Sequence, residues 1–333
     1  MATRWGICSA GKISYDFCLA LQTLPADQHQ IVAVAARKVE DAQQFAQKFN
    51  IPNAYGSYEQ LAQDKNIDVV YVSTIHPYHH ATVRLFLAHK HNVLCEKPLT
   101  LSLHGAQQLL AEAKALGVFF MEGYWARCFP VYHQIRKELR EGTLGDVKMV
   151  VANICLPLDT VARIKQRALG GGGLMDIGCY AVQACNVVFP GLPEKIEAQA
   201  TYFEDGVDSG GVITLKYSGG GLASLSYHTG TPDGANRLTI LGTKGNIVVP
   251  GHFWCTDRLI TPSGEKVFPF PPCEPRDFNF DNSIGFTYEI QTVRECLQKG
   301  LKECPVIPHS DTITIMTILE RVQQLLGISY DQP

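Results

Sequence analysis

Lys97 lies in the stretch Cys95-Glu96-Lys97-Pro98, directly after a short apolar run at residues 92–95. A lysine at the carboxyl end of a buried strand stands where open α/β sheets bind their ligands, and its ammonium can hold a substrate hydroxyl. Further along, Gly170-Gly171-Gly172-Gly173 opens a helical stretch in which Asp176 and Tyr180 are four residues apart. That spacing puts the carboxylate and the phenol on one helix face. Oxidation of an alcohol needs a group to take the hydroxyl proton as hydride departs, and Lys97 and Tyr180 are the candidates. Neither is a strong base at neutral pH on its own, so the two are read as one coupled proton relay. The assignment favoured here makes Tyr180 the proton acceptor and Lys97 the residue that orients the hydroxyl; the reverse stays open. Asp176 can accept a hydrogen bond from a second substrate hydroxyl, as a vicinal diol or a sugar would offer, or it can cap the helix start.

The cofactor signals lie earlier in the chain. An apolar run at residues 4–8 ends in Ser9-Ala10-Gly11-Lys12-Ile13-Ser14. Against the dinucleotide fingerprint G-x-G-x-x-G, Ser9 and Ser14 replace the outer glycines, and Gly11 keeps the middle position, where backbone meets pyrophosphate. After the second strand, where an NAD enzyme carries an acidic residue for the ribose 2′-hydroxyl, the chain has Ala36-Arg37-Lys38. A guanidinium clamps a 2′-phosphate that a carboxylate would repel, so the expected cofactor is NADP. Tyr71, Ser73, Thr74, His76 and His79 stand at or just after the next strand and are expected along the cofactor groove, with Glu96 and Lys97 beyond them; Tyr71 reads equally well as core. His76, His79 and His80 have no cysteine or carboxylate at ligand spacing, so no metal is expected. Trp125, Arg127, Ile154, Phe278 and Phe280 are candidates for an apolar substrate wall, although each reads also as packing.

These residues need a frame, and the hydrophobic pattern supplies one. Continuous apolar runs at residues 31–36, 68–73, 92–95 and 118–121 alternate with helical stretches at 39–49, 58–62, 80–89 and 103–116. Such alternation predicts an α/β Rossmann domain, a doubly wound parallel sheet, over residues 1–123. Strand-like runs at 147–156, 195–203, 211–217, 222–228, 237–241 and 246–249 predict an α+β domain over 124–333, with a large, mainly antiparallel open sheet. Helices are expected at 131–141, 175–188, 285–299 and 312–326. Residues 261–279, rich in Pro and Phe, read as an ordered loop.

Three motifs in order give the chain a family likeness. Glu96-Lys97-Pro98 after a buried strand resembles the hallmark of the Gfo/Idh/MocA oxidoreductases. Thr74-Ile75-His76-Pro77-Tyr78-His79 resembles that family's T-P-N-x-x-H stretch, departing from it at Ile75 and His76. Gly170-Gly171-Gly172-Gly173-Leu174-Met175-Asp176-Ile177-Gly178-Cys179-Tyr180 resembles its G-G-G-x-L-x-D-x-G-x-H stretch, with Tyr180 in the histidine's place. The resemblance covers nearly the whole chain. It implies NADP-dependent oxidation of trans-dihydrodiols of aromatic hydrocarbons to catechols, oxidation of D-xylose at C1 to the lactone, and a homodimer formed through the C-terminal sheet. Two other readings are an imine or biliverdin-type reductase and a catalytically silent NADP-holding regulator.

The bulk composition narrows the field further. The 333 residues are 46% hydrophobic and 18% charged, with a formal net charge of −3. That balance suits large cores and gives no footprint for nucleic acid or an anionic membrane. Neither a cleavable leader at the start nor a lipidation signal at residues 329–333 is expected. The 11 cysteines are scattered and odd in number. They read as reduced thiols, mostly small core hydrophobes, in a cytoplasmic protein.

Overall fold

The computed structural model describes residues 1–232, 236–273 and 277–330. Part of the 261–279 stretch and the end of the 329–333 stretch therefore lie outside the described residues. The chain forms two compact units.

The first unit begins with β1 (Thr3–Cys8), α1 (Lys12–Leu21), β2 (His29–Ala35), α2 (Val39–Phe49), β3 (Asn53–Tyr55), α3 (Tyr58–Gln63), β4 (Val69–Val72), α4 (His79–Ala88), β5 (Asn92–Glu96), α5 (Leu103–Leu116) and β6 (Phe120–Gly123). The six strands are parallel in the order β3-β2-β1-β4-β5-β6, the doubly wound arrangement expected from the alternation. Strands sandwiched between helices must be apolar on both faces, and all four residues of β4 are buried. α2 shows the complementary pattern, with Ala42, Phe45, Ala46 and Phe49 forming its one buried stripe. The strand β3 was missed in the sequence, because three half-buried residues give no periodic signal. The Glu96-Lys97-Pro98 stretch thus stands at the end of the fifth strand, with Glu96 as that strand's last residue.

The second unit contains α6 (Pro130–Glu141), β7 (Val147–Cys155), α7 (Cys179–Val188), β8 (Lys195–Tyr202), β9 (Asp208–Lys216), β10 (Leu222–His228), β11 (Arg237–Gly242), β12 (Asn246–Pro250), β13 (Arg258–Thr261) and β14 (Gly264–Val267). Its eight-stranded sheet runs β14-β13-β12-β11-β7-β10-β9-β8; β7 and β10 pair in parallel and the remaining neighbours are antiparallel. Alternation along β7 and β10 turns Val150, Ala152, Ile154, Ala223, Leu225 and Tyr227 inward. The stretch 261–279 is not all loop, since its first part belongs to the hairpin β13–β14; Gly264 turns the chain there at φ +113°.

After β14 the chain forms α8 (Phe286–Gln298) and then α9 (His309–Leu326). The first unit comprises Met1–Thr100, His104–Cys128 and Phe270–His309, so it extends beyond the contiguous 1–123 expected. The physical reason is α8. Its Phe286 stacks on Trp125, with ring centroids 4.4 Å apart, and meets Phe17 of α1 edge-on. Among the described residues, no helix is long and apolar enough to cross a membrane.

Candidate active site

β1 runs directly into the turn that opens α1. Ser9 adopts φ +101°, the conformation the fingerprint's first glycine would take without strain. A Cβ on Gly11 would meet only the Ser9 hydroxyl, at 3.5 Å, so the chain leaves space above this backbone. α1 has no side-chain cap at Gly11 and no acidic residue in its first turn, which leaves its first N–H groups available to an anion. Ser14, in the third fingerprint position, is buried, and its hydroxyl lies 2.6 Å from that of Ser73; Ser73 also donates to the Cys8 carbonyl. These two serines therefore tie α1 to the ends of β1 and β4. The Thr74 hydroxyl is buried with no hydrogen-bond partner among the described residues, an orphan that suits a ligand contact at this strand end.

Arg37 and Lys38 are exposed at the end of β2, as a 2′-phosphate clamp requires. Tyr58 of α3 was not foreseen in the sequence. Burial pushes its pKa up to about 12, against the influences of Arg37 and the Ser9 hydroxyl. Its place beside both the phosphate turn and Arg37 makes it a further candidate wall for the nucleotide. Only the fold reveals it, because α3 is distant in sequence from both.

Tyr71 takes the core position of its two readings. Its side chain is wholly buried, stacked on Phe17 at 3.8 Å, and it donates a 2.6 Å hydrogen bond to Glu96. It supports the Glu96-Lys97-Pro98 stretch from below instead of lining a groove. His79 is also wholly buried, with Nδ1 2.9 Å from the Pro98 oxygen and Nε2 2.8 Å from the Thr74 oxygen. Burial holds its pKa below the ordinary imidazole value, while those carbonyls pull it up. The ring braces the loop after β4 against the loop after β5. From β6, Glu122 accepts the Leu99 N–H at 2.9 Å, so the segment following Lys97 is held from two sides. His76 is buried edge-on to His79, and His80 lies beside Gln108.

Glu289 of α8 was also not foreseen. It is wholly buried, and neither carboxyl oxygen has a hydrogen-bond partner among the described residues. Burial, reinforced by repulsion from Glu96, pushes its pKa well above the carboxylate range. Glu96 is raised as well, by burial, but the Tyr71 hydroxyl and the neighbouring Lys97 pull it back down.

Of the other expected wall residues of the first unit, two are packed and two lie on a loop. Trp125 stacks on Phe286, and Arg127 is buried. Phe278 and Phe280 flank Asn279, whose backbone and side-chain N–H groups both donate to Asp16 of α1 at 2.8 Å. Asp16 also accepts from the Phe280 N–H and the Ser283 hydroxyl. The aromatic loop is therefore bolted to the helix that starts at the phosphate turn, and Phe280 stays exposed.

In the second unit, Leu174–Gly178 forms a π-type turn that continues into α7. Such wide turns recur at functional sites. Asp176 and Tyr180 are both on this helix and both largely buried. Asp176 is not a helix cap; its carboxylate forms a 2.7 Å ion pair with Arg163, a residue not singled out in the sequence. Tyr180 lies against Trp254, with centroids 6.2 Å apart, and Trp254 stacks on His252. The small residues of the motif have steric causes, since a Cβ on Gly173 or Gly178 would come within 3.0 Å of the Tyr227 ring. Ile154 takes the packing reading: it has no exposed surface, because its strand position faces the sheet's covered side.

Residues 3–124 match the family model described as "Oxidoreductase family, NAD-binding Rossmann fold", and residues 132–248 match "GFO/IDH/MocA C-terminal domain". A Danio rerio protein named trans-1,2-dihydrobenzene-1,2-diol dehydrogenase is 48% identical over 334 residues, covering 100% of this chain and 99% of its own. Two solved structures share the fold at low identity. A 3-ketoreductase from Actinomadura kijaniata, in complex with NADP and TDP-benzene, has a TM-score of 0.81 at 22% identity, covering 97% of this chain and 98% of its own. Levoglucosan dehydrogenase, in complex with NADH and levoglucosan, has a TM-score of 0.85 at 16% identity, covering 98% of each chain.

Proposed function

The chain belongs to the Gfo/Idh/MocA family of oxidoreductases, and from that premise we propose that it is an NADP-dependent dehydrogenase of trans-dihydrodiols that also oxidises D-xylose at C1. The observation that carries the reading is the full-length identity to a trans-1,2-dihydrobenzene-1,2-diol dehydrogenase, in a chain that itself holds Lys97, Asp176 and Tyr180. The choice of NADP rests on the exposed Arg37 after β2 and on the absence of an acidic residue there.

A bound nicotinamide would supply the acceptor for the hydride leaving the carbinol carbon. The chain's residues manage the rest. Arg37 and Lys38 hold the 2′-phosphate, and the turn at Ser9, Gly11, Lys12 and Ile13 holds the pyrophosphate. Tyr180 takes the proton of the reacting hydroxyl while Lys97 orients that hydroxyl. Asp176, fixed by Arg163, accepts from the neighbouring hydroxyl. For a dihydrodiol, loss of one hydride and one proton leaves a hydroxy-ketone, and shift of one further proton from carbon to oxygen gives the catechol; for cyclic xylose the same loss from the C1 hemiacetal gives the lactone directly.

The test is initial rates with NADP and with NAD, each against trans-benzene dihydrodiol and D-xylose. Turnover with NADP on either substrate supports the reading, and kcat/KM ranks the two. No turnover, with NADPH binding intact, refutes it and favours a reductase.

A further inference from the structure

We propose that Asp208 and Tyr330 form a clamp that positions the helix carrying Asp176 and Tyr180. The proposal rests on the function above for its catalytic consequence, but its geometry stands within the second unit alone.

The helix needs outside help at its start. The first N–H groups of any helix lack intrahelical acceptors, and Gly173, which precedes the π-type turn, offers no side-chain cap. Asp208, the first residue of β9, supplies the acceptor: its Oδ2 takes the Leu174 N–H at 2.5 Å. Asp208 has no exposed surface. A carboxylate at this point also opposes the positive end of the helix dipole. Burial pushes its pKa up, while the hydrogen bond from Leu174 pulls it down.

Tyr330 arrives from the other direction. It follows α9, and its hydroxyl donates to the Gly171 carbonyl at 2.6 Å. The same tail is fixed one residue earlier, where Arg167 donates to the Ser329 carbonyl. The two clamp residues converge on Gly172. A Cβ there would lie 2.6 Å from Asp208 Oδ1 and 2.9 Å from the Tyr330 hydroxyl, and the residue adopts φ +110°. The glycine run is small at this point because a strand carboxylate and a tail phenol both close on it. A ligand-facing role does not account for these contacts.

The clamp acts at the place where a slip would matter most. A π-type turn sets the angular position of every residue after it. A shift at Leu174 therefore rotates Asp176 and Tyr180 together, and displacements of about 1 Å at reacting groups cost on the order of 10²-fold in rate. Asp208 and Tyr330 are thus positioning residues that act through the helix.

Three variants test the clamp. Tyr330→Phe removes only a hydroxyl, Asp208→Asn keeps an acceptor oxygen for Leu174, and Asp208→Ala removes it. Each is compared with the wild type by amide hydrogen exchange of peptides spanning residues 171–180, by NADPH affinity, and by kcat and KM on the dihydrodiol. Expected are faster exchange in Tyr330→Phe and Asp208→Ala, a fall in kcat of about tenfold or more, NADPH affinity unchanged, and partial rescue in Asp208→Asn. Exchange at the wild-type rate in Tyr330→Phe overturns the clamp, even if Asp208→Ala fails to fold. Faster exchange with an unchanged kcat overturns its positioning role. A wild-type protein that turns over neither substrate refutes the proposed function instead, and the exchange rates still decide the clamp.

Discussion

Tyr180 and Lys97 are proposed to share the handling of one proton, and substitution separates their parts. If Tyr180 is the acceptor, Tyr180→Phe lowers kcat by about 10²-fold or more and flattens its dependence on pH, whereas Lys97→Met lowers kcat but keeps a pH-dependent limb. A Tyr180→Phe enzyme with most of its kcat intact reverses the assignment. Arg37 carries a different expectation. It is exposed, so its loss leaves the fold alone and removes only a charge-assisted contact to the 2′-phosphate. Such a contact is worth about 1.5–3 kcal/mol, so Arg37→Ala lowers kcat/KM for NADP by about 10–100-fold and leaves the value for NAD within about twofold. An equal loss with both cofactors would mean that Arg37 does not read the 2′-position.

Elements carry what single residues do not announce. The parallel strands were legible because burial on both faces writes a continuous apolar run, as in Val69-Val70-Tyr71-Val72. β3 and the β13–β14 hairpin were not, since strands of three or four residues are too short to stand out as a period in the sequence. The motif around Asp176 was legible as a helix, yet its π-type turn and the Arg163 ion pair arise from tertiary contacts that spacing does not encode. Glu289 is the strongest such case. Nothing local sets it apart on an amphipathic helix, and only the packing of α8 brings it under the influence of Glu96, Tyr71 and Cys304. Its folded pKa lies well above 4.5, so the folded chain keeps a proton that the unfolded chain releases. Stability contributed by this group is complete below the unfolded pKa and drains away as pH rises toward the folded one. Glu289→Gln keeps the shape and does not titrate. Its Tm relative to wild type should therefore climb over the range from about pH 5 upward, above the ordinary glutamate value. A difference in Tm that stays flat across that range would place Glu289 in ionised form in the folded protein.

At the scale of the whole molecule, the open sheet has two faces with different fates. Val150, Ala152 and Ile154 are sealed, while the alternate positions of the same strands look outward. One outward row crosses the sheet in register: Ile260, Val248, Thr239, Val151, Ser224 and Thr214. Val212 and Ile260 are 52% and 43% exposed. Small and β-branched side chains on an open, mainly antiparallel sheet can be covered by an identical surface related by a two-fold axis. The row mixes apolar positions with hydroxyls, which suits a face that pairs with a copy of itself without aggregating broadly. We expect a homodimer through this face, with sedimentation at micromolar concentration giving about twice the chain mass of 36.7 kDa. Val151 lies mid-row, so Val151→Asp places a charge within the expected interface and should shift the protein toward the single-chain mass, by a loss of tenfold or more in dimer affinity at about 1.4 kcal/mol per decade. Because Val151 sits on the outward face, the same variant should keep NADPH binding. A wild-type protein that sediments at 36.7 kDa would refute the dimer, and a Val151→Asp protein that stays dimeric would move the interface off this face.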